Sequence, residues 1–187
     1  NRKDNTMSHI TFSYLDKTSE VSNATLDAVH RQLGSVPNLF RLIGISPPAL
    51  TAYTSFNGAL TKALDARTRE GIALAVAQVN GCDYCLSAHT YLGLNLAKIA
   101  PEEIALNRRG TSADSKTHAA VSFAAKVARE RGHVSDTDLT AVRAAGFSEA
   151  QIVEIVALVA ENSFTNYLNE VAKTAIDFPE VKASEAA

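Results

Sequence analysis

The chain has only two cysteines, and they stand three positions apart in Gly81-Cys82-Asp83-Tyr84-Cys85-Leu86-Ser87-Ala88-His89. A C-x-x-C pair that uses every cysteine of a protein is most simply a dithiol able to cycle through a disulfide. His89 follows Cys85 by four positions. Its imidazole can take a thiol proton or, once protonated, stabilise the sulfur anion. Upstream, Glu70 offers a carboxylate that can orient such a base. Cys82, Cys85, His89 and Glu70 together point to redox chemistry at sulfur.

These side chains act together only if the backbone gathers them, and the pattern around them is helical almost throughout. Alanine and leucine dominate, aromatic residues are 6% of the chain, and no stretch alternates apolar and polar residues long enough for a sheet. Ser22 or Asn23 can cap a helix through Leu26, Val29 and Leu33, stopped by Gly34. Pro47-Pro48 opens a helix to about Ala63, and Asp65 caps another from Ala66 to Asn80, ended by Gly81. The cysteine helix then runs from about Cys82 to Leu94. Pro101 begins a short helix, Thr111 to Asp114 start one that ends near Gly132, and Ser135 starts one closed by Gly146. Ser148 and Gln151 form a capping box for the last and longest, ending near Thr174. On it Ile152, Ile155, Val156, Val159 and Phe164 have the spacing of a core face. Residues from Phe178 onward read as a loose tail.

On this scaffold Cys82 and Cys85 are i, i+3, and Cys85 and His89 are i, i+4, so all three share a face. The first turn after Gly81 places both sulfurs near unpaired N–H groups and the positive end of the helix dipole, which favour a thiolate. Cys85 is nearer to His89, which assigns it as attacking thiolate and Cys82 as resolving thiol. The helices before and after Gly81 form an antiparallel hairpin in this reading. Glu70 lies ten residues before Asn80 and His89 eight after Gly81, so at about 1.5 Å rise per residue they come level enough for contact. The plainer reading makes Glu70 one more acid near a helix start, after Asp65-Ala66-Arg67-Thr68-Arg69.

Length and charge set the frame. At 187 residues and 19.9 kDa the chain suits one domain with a substantial core. A net charge of −2 provides no basic field for nucleic acid, and no run of eighteen apolar residues suggests a membrane span. The N-terminus lacks the apolar core of a secretion signal, so a cytoplasmic location is expected. Residues 1–6 precede the only methionine, Met7, and read as a vector remnant. The expected division is a single helical domain over 7–178 and a tail over 179–187.

The spacing E-x11-C-x2-C-x3-H formed by Glu70, Cys82, Cys85 and His89 resembles the signature of the AhpD-like alkylhydroperoxidases of the carboxymuconolactone decarboxylase superfamily. Val36-Pro37-Asn38-Leu39-Phe40-Arg41, followed by Ser46-Pro47, is similar to the branch described as peroxidase-related. The resemblance implies an all-α, single-domain helical bundle that assembles as a homo-oligomer, trimer or hexamer, with the redox helix near subunit contacts. It also implies a hydroperoxide substrate, with Cys85 attacking to give a sulfenic acid, Cys82 closing the disulfide, and Glu70 with His89 relaying protons. No bound cofactor or metal is required. The expected reductant is an external dithiol, a dihydrolipoyl group on a carrier protein first and a thioredoxin-like protein second. Tyr84 stands where the best-studied members carry a second histidine.

Other readings of the same residues stay open. Zinc could use Cys82, Cys85 and His89 with Glu70 or water, although structural zinc sites draw ligands from separate elements and no second C-x-x-C exists. Covalent haem needs C-x-x-C-H, and Leu86 occupies the histidine position. A thioredoxin fold needs βαβ units, and a purely structural disulfide across so short a loop adds little stability. A non-peroxidase oligomer whose dithiol is a redox switch or accompanies ligand binding is the main alternative, and lactone decarboxylation comes last. Asn162, Asn166 and Asn169, with Glu161 and Tyr167 nearby, read as a polar helix face or a pocket lining. His30 and His133 suit helix ends, His118 suits packing or solvent, and His9 belongs to the N-terminal stretch. Arg108-Arg109 reads as a cationic helix end.

Overall fold

In the computed structural model, residues 20–185 are described, and every regular element among them is helical. The vector-remnant reading of 1–6 and the placement of His9 fall outside these residues. Nine α-helices follow one another: α1 (Glu20–Leu33), α2 (Asn38–Ile43), α3 (Pro47–Leu60), α4 (Ala66–Asn80), α5 (Asp83–Asn95), α6 (Pro101–Arg108), α7 (Ser115–Arg129), α8 (Asp136–Ala144) and α9 (Glu149–Ala172). A short 3₁₀ turn, Ala183–Glu185, closes the described chain.

The bundle is built around α4. Asp65 caps it by accepting from the Thr68 N–H at 3.0 Å, and the Thr68 hydroxyl donates back at 2.6 Å. Downstream the helix is apolar on every side: Ile72, Leu74, Ala75, Val76 and Ala77 are all buried. A helix without a polar face must be surrounded, and α4 packs against α5, α6, α7 and α9. Each buried Ile, Leu or Val there is worth about 1.5–3 kcal/mol relative to exposure. Gly71 makes the closest approach possible. A Cβ at this position would press into Asn107 Oδ1 of α6 and stand 2.9 Å from Val121 Cγ2 of α7.

The chain leaves α4 through Gly81 in the left-handed conformation, φ 70°, and reverses into α5. The αL residue lets two capping N–H bonds form while turning the backbone sharply. That turn produces the hairpin on which the site depends. The capping boxes of α8 and α9, at Ser135/Asp138 and Ser148/Gln151, fix the entry of those helices.

Several details depart from the sequence reading. The first helix is already formed at Glu20, so Ser22 and Asn23 lie inside it. The hexapeptide α2 is too short to show a helical period in the sequence. On α9, Ile152, Ile155 and Val159 are buried as expected, but Val156 and Phe164 are 42% exposed. They belong instead to a second apolar stripe, Val153, Val156, Ala160, Phe164, Tyr167 and Val171, that faces outward at helical spacing.

The largest departure is at the C-terminus. The segment expected to be loose is strapped across α5 as far as Glu185. The Val181 N–H donates to Ser87 Oγ at 2.9 Å and the Ala183 N–H to Asp83 Oδ1 at 2.8 Å. Gln78 donates to the Ala183 carbonyl at 2.8 Å, and Arg108 to the Lys182 carbonyl at 2.8 Å. Ile176, Phe178, Val181 and Ala183 pack on the buried cluster that contains Cys82 and Cys85. Anchors from α4, α5 and α6 hold this strap, and none is adjacent to it in sequence.

Candidate active site

Cys82 is the N-cap of α5: its backbone is extended, and its sulfur accepts the Cys85 N–H at 3.3 Å. Cys85 therefore sits in the first turn, at the positive end of the helix. Both sulfurs are buried and free of any disulfide. The helix hairpin brings Glu70 level with His89, and Glu70 Oε2 lies 2.9 Å from His89 Nδ1. Their side chains are 21% and 23% exposed, so the pair is shielded without being sealed. All four residues picked from the sequence meet at the α4–α5 hairpin.

A cavity of about 160 Å³ opens onto three of them. Cys85, His89 and Glu70 line it, and Cys82 does not. The two thiols are thus inequivalent. The Cys85 pKa is lowered to about 7. The hydrogen bond from Cys82 contributes most, burial opposes it, and the His89 charge with the amides of Asn169 and Asn166 adds to it. Conversely, Cys82 is pushed well above the ordinary thiol range by the hydrogen bond it donates to Cys85, by burial and by the Cys85 charge. For His89, burial disfavours the imidazolium, but the charge and hydrogen bond of Glu70, with Cys85 and Glu161, outweigh it and leave the pKa raised. A thiolate beside an imidazolium is the arrangement these shifts describe.

Helix α9 supplies what the sequence reading left between two options. Asn162, Asn166 and Asn169 are buried, not a solvated polar face. Asn169 Nδ2 donates to Cys85 Sγ at 3.3 Å, Asn166 Oδ1 accepts from Asn80 Nδ2 at 2.9 Å, and Asn162 lines the cavity. Their i, i+4, i+7 spacing was the legible signal. Three further cavity residues escaped notice: Tyr53 and Asn57 on α3, and Arg69 beside Glu70. Nothing local marks Tyr53 and Asn57, since α3 reaches the site only through packing.

Tyr84 serves the scaffold. Its hydroxyl donates to Asp177 Oδ1 at 2.8 Å and accepts the Leu39 N–H at 3.1 Å, while Asp177 Oδ2 accepts the Asn38 N–H at 2.8 Å. One phenol thus ties the cysteine helix to α2 and to the C-terminal strap. His30 and His133 are exposed at helix ends, and His118 is exposed with its Nδ1 at 2.9 Å from the Thr111 hydroxyl. Arg108 is engaged with Gln78 and the strap. Among the described residues no cluster of three or more His, Cys, Asp or Glu is disposed to hold a metal ion, and no helix is long and apolar enough to cross a membrane.

With this geometry in hand, likeness to known proteins is informative. Residues 47–130, which contain all four site residues, match the carboxymuconolactone decarboxylase family. Among curated proteins there is no match. A peroxidase-related protein from Ralstonia eutropha JMP134, described as an alkylhydroperoxidase AhpD core, superposes with a TM-score of 0.82 at 22% identity, over 91% of this chain and 93% of its own. A peroxidase-related protein from Silicibacter sp. TM1040 gives 0.79 at 22% identity, over 90% and 91%. The debrominase Bmp8, in complex with 2,3,4-tribromopyrrole, gives 0.71 at 18% identity, over 90% and 94%. The chain as a whole thus has the AhpD-like fold.

Proposed function

We propose that this protein is a thiol-dependent peroxidase of the alkylhydroperoxidase type. The observation that carries the reading is the asymmetry of the dithiol: the sulfur on the cavity wall is the acidified one, and its partner lies behind it, protonated and donating. Cys85 thiolate attacks the terminal oxygen of a hydroperoxide, the O–O bond breaks, and a Cys85 sulfenic acid forms as the alcohol leaves. The Cys82 thiol then condenses with it, releasing water and forming the Cys82–Cys85 disulfide. His89, held by Glu70 through Nδ1, pairs with the thiolate and relays its proton.

An external dithiol, on a dihydrolipoyl carrier or a thioredoxin-like protein, regenerates the pair by exchange in a cytoplasmic setting. No resident cofactor or metal takes part in this cycle. Self-association as a trimer or hexamer, implied by the resemblance, is supported by the outward apolar stripe on α9, a face of the kind that marks protein contacts.

The test is loss of free thiols after a modest dose of tert-butyl hydroperoxide. Wild type should lose two thiols per chain within seconds, Cys85→Ser should not react, and Cys82→Ser should stop at a trappable sulfenic acid. Wild-type thiols that survive the dose overturn the reading.

A further inference from the structure

A second buried carboxyl shares the cavity with Cys85, and the cycle above gives it no task. Glu161 of α9 is 7% exposed, in a wall formed with Asn57, Arg69, Glu70, Cys85 and His89. Its Oε1 accepts from Asn57 Nδ2 at 2.5 Å, and Oε2 has no hydrogen-bond partner among the described residues. A buried carboxyl held by one oxygen, in the wall of the same cavity as a reactive sulfur, is placed to act on whatever the sulfur attacks. This inference rests on the peroxidase reading, because it assigns the proton that the reading leaves unsourced.

When thiolate displaces an alkoxide from a hydroperoxide, the departing oxygen must be protonated. We infer that Glu161 is the general acid of this site, donating the Oε2 proton to the leaving alkoxide. The atoms balance: the Cys85 S–O bond forms, the O–O bond breaks, sulfur is oxidised to sulfenic acid and the peroxide oxygen is reduced. The alkoxide takes the Glu161 proton and leaves as alcohol. When the disulfide is later reduced by the dithiol, Cys85 returns as a thiol, and the proton it sheds restores Glu161.

The charges of the cavity favour this arrangement. Around the thiolate of Cys85 stand Glu70 from α4, His89 from α5 and Arg69 from α4, with the neutral phenol of Tyr53 and amide of Asn57 from α3. With Glu161 protonated, two negative groups face two positive ones. As sulfur becomes neutral, Glu161 becomes the anion in its place, so the charge enclosed by the cavity does not change through the step. Burial supports the protonated form by raising the Glu161 pKa, with Glu70 adding and Asn57, His89 and Arg69 opposing. His89 remains free to stay protonated as the partner of the thiolate.

The test varies the leaving group. An alkoxide such as that from tert-butyl hydroperoxide needs a proton to depart, whereas the carboxylate released from peracetic acid does not. Glu161→Gln retains an acceptor for Asn57 and a donor for substrate but has no proton to transfer. Second-order rates of Cys85 oxidation should therefore fall about a hundredfold or more with tert-butyl hydroperoxide and stay within a few-fold of wild type with peracetic acid. Retained peracid reactivity also shows that the variant is folded. Equal losses with both oxidants, or no loss with either, overturn the role of Glu161 and leave the peroxidase reading standing. Wild type inert to tert-butyl hydroperoxide overturns the peroxidase reading itself, and this role with it.

Discussion

Replacing Asn169 by leucine removes the amide that donates to Cys85 Sγ at 3.3 Å and keeps much of the side-chain volume. A hydrogen bond to a charged acceptor is worth about 1.5 kcal/mol at the lower end of its range, which is about one pKa unit. With Cys85 near 7 in wild type, about half of it is thiolate at neutral pH. One unit upward leaves about a tenth, a roughly fivefold loss of thiolate that its greater nucleophilicity partly offsets, so alkylation by iodoacetamide at pH 7 should slow about twofold. The full pH profile separates this effect from lost access. The midpoint should move up while the plateau at high pH rises about threefold, since a more basic thiolate is more nucleophilic. A profile that superposes on wild type refutes the claim that the amide holds the anion, and a lowered plateau with an unmoved midpoint shows damage to the cavity instead.

The same titration should distinguish Cys82→Ala, which deletes the largest contribution holding Cys85 down and moves the midpoint upward, from Cys82→Ser, whose hydroxyl still donates and leaves it close to wild type. In Glu70→Gln, burial acts on His89 without its main opposing charge, so the imidazole midpoint followed by NMR should fall relative to wild type; an unchanged midpoint would show that Glu70 does not govern it. Gly71→Ala places a methyl against Asn107 and Val121, and overpacking of about 1–3 kcal/mol should lower Tm by roughly 3–10 °C in a chain of this size. Tyr167→Glu on the outward stripe of α9 should reduce the mass measured by light scattering without lowering Tm of the isolated chain, and an unchanged mass removes that face from any subunit contact.

The helices with clear punctuation were legible in the sequence, because capping is a local interaction. Asp65, Gly81, Ser135 and Ser148 each mark a boundary that the structure keeps. The convergence of Glu70, Cys85 and His89 was readable for a related reason: both arms belong to one hairpin, so their register follows from counting residues outward from Gly81. What arrives from elsewhere was not readable. Asn57 and Glu161 are 104 positions apart and meet only when α3 packs on α9. The C-terminal strap has no helical period; its order comes from Asp83, Ser87, Gln78 and Arg108, whose sequence positions say nothing of a distant partner. Phe164 was misplaced because it lies five residues beyond Val159, more than a turn onward and off the buried face.

If the proposed cycle operates, the depth at which the sulfurs lie limits the shape of the dithiol that restores them. Cys82 is 0% and Cys85 3% exposed, the strap covers the outer side of their helix, and the cavity that reaches Cys85 has a volume of about 160 Å³. Thiol exchange needs the incoming sulfur in line with the disulfide. A folded protein with its dithiol set flush in its own surface is too broad to make that approach unless the strap lifts. A dithiol at the end of a slender, flexible arm meets no such obstacle, because only its tip needs to enter. Under the proposed cycle, the burial that shields Cys85 also favours a narrow dithiol donor over a broad one.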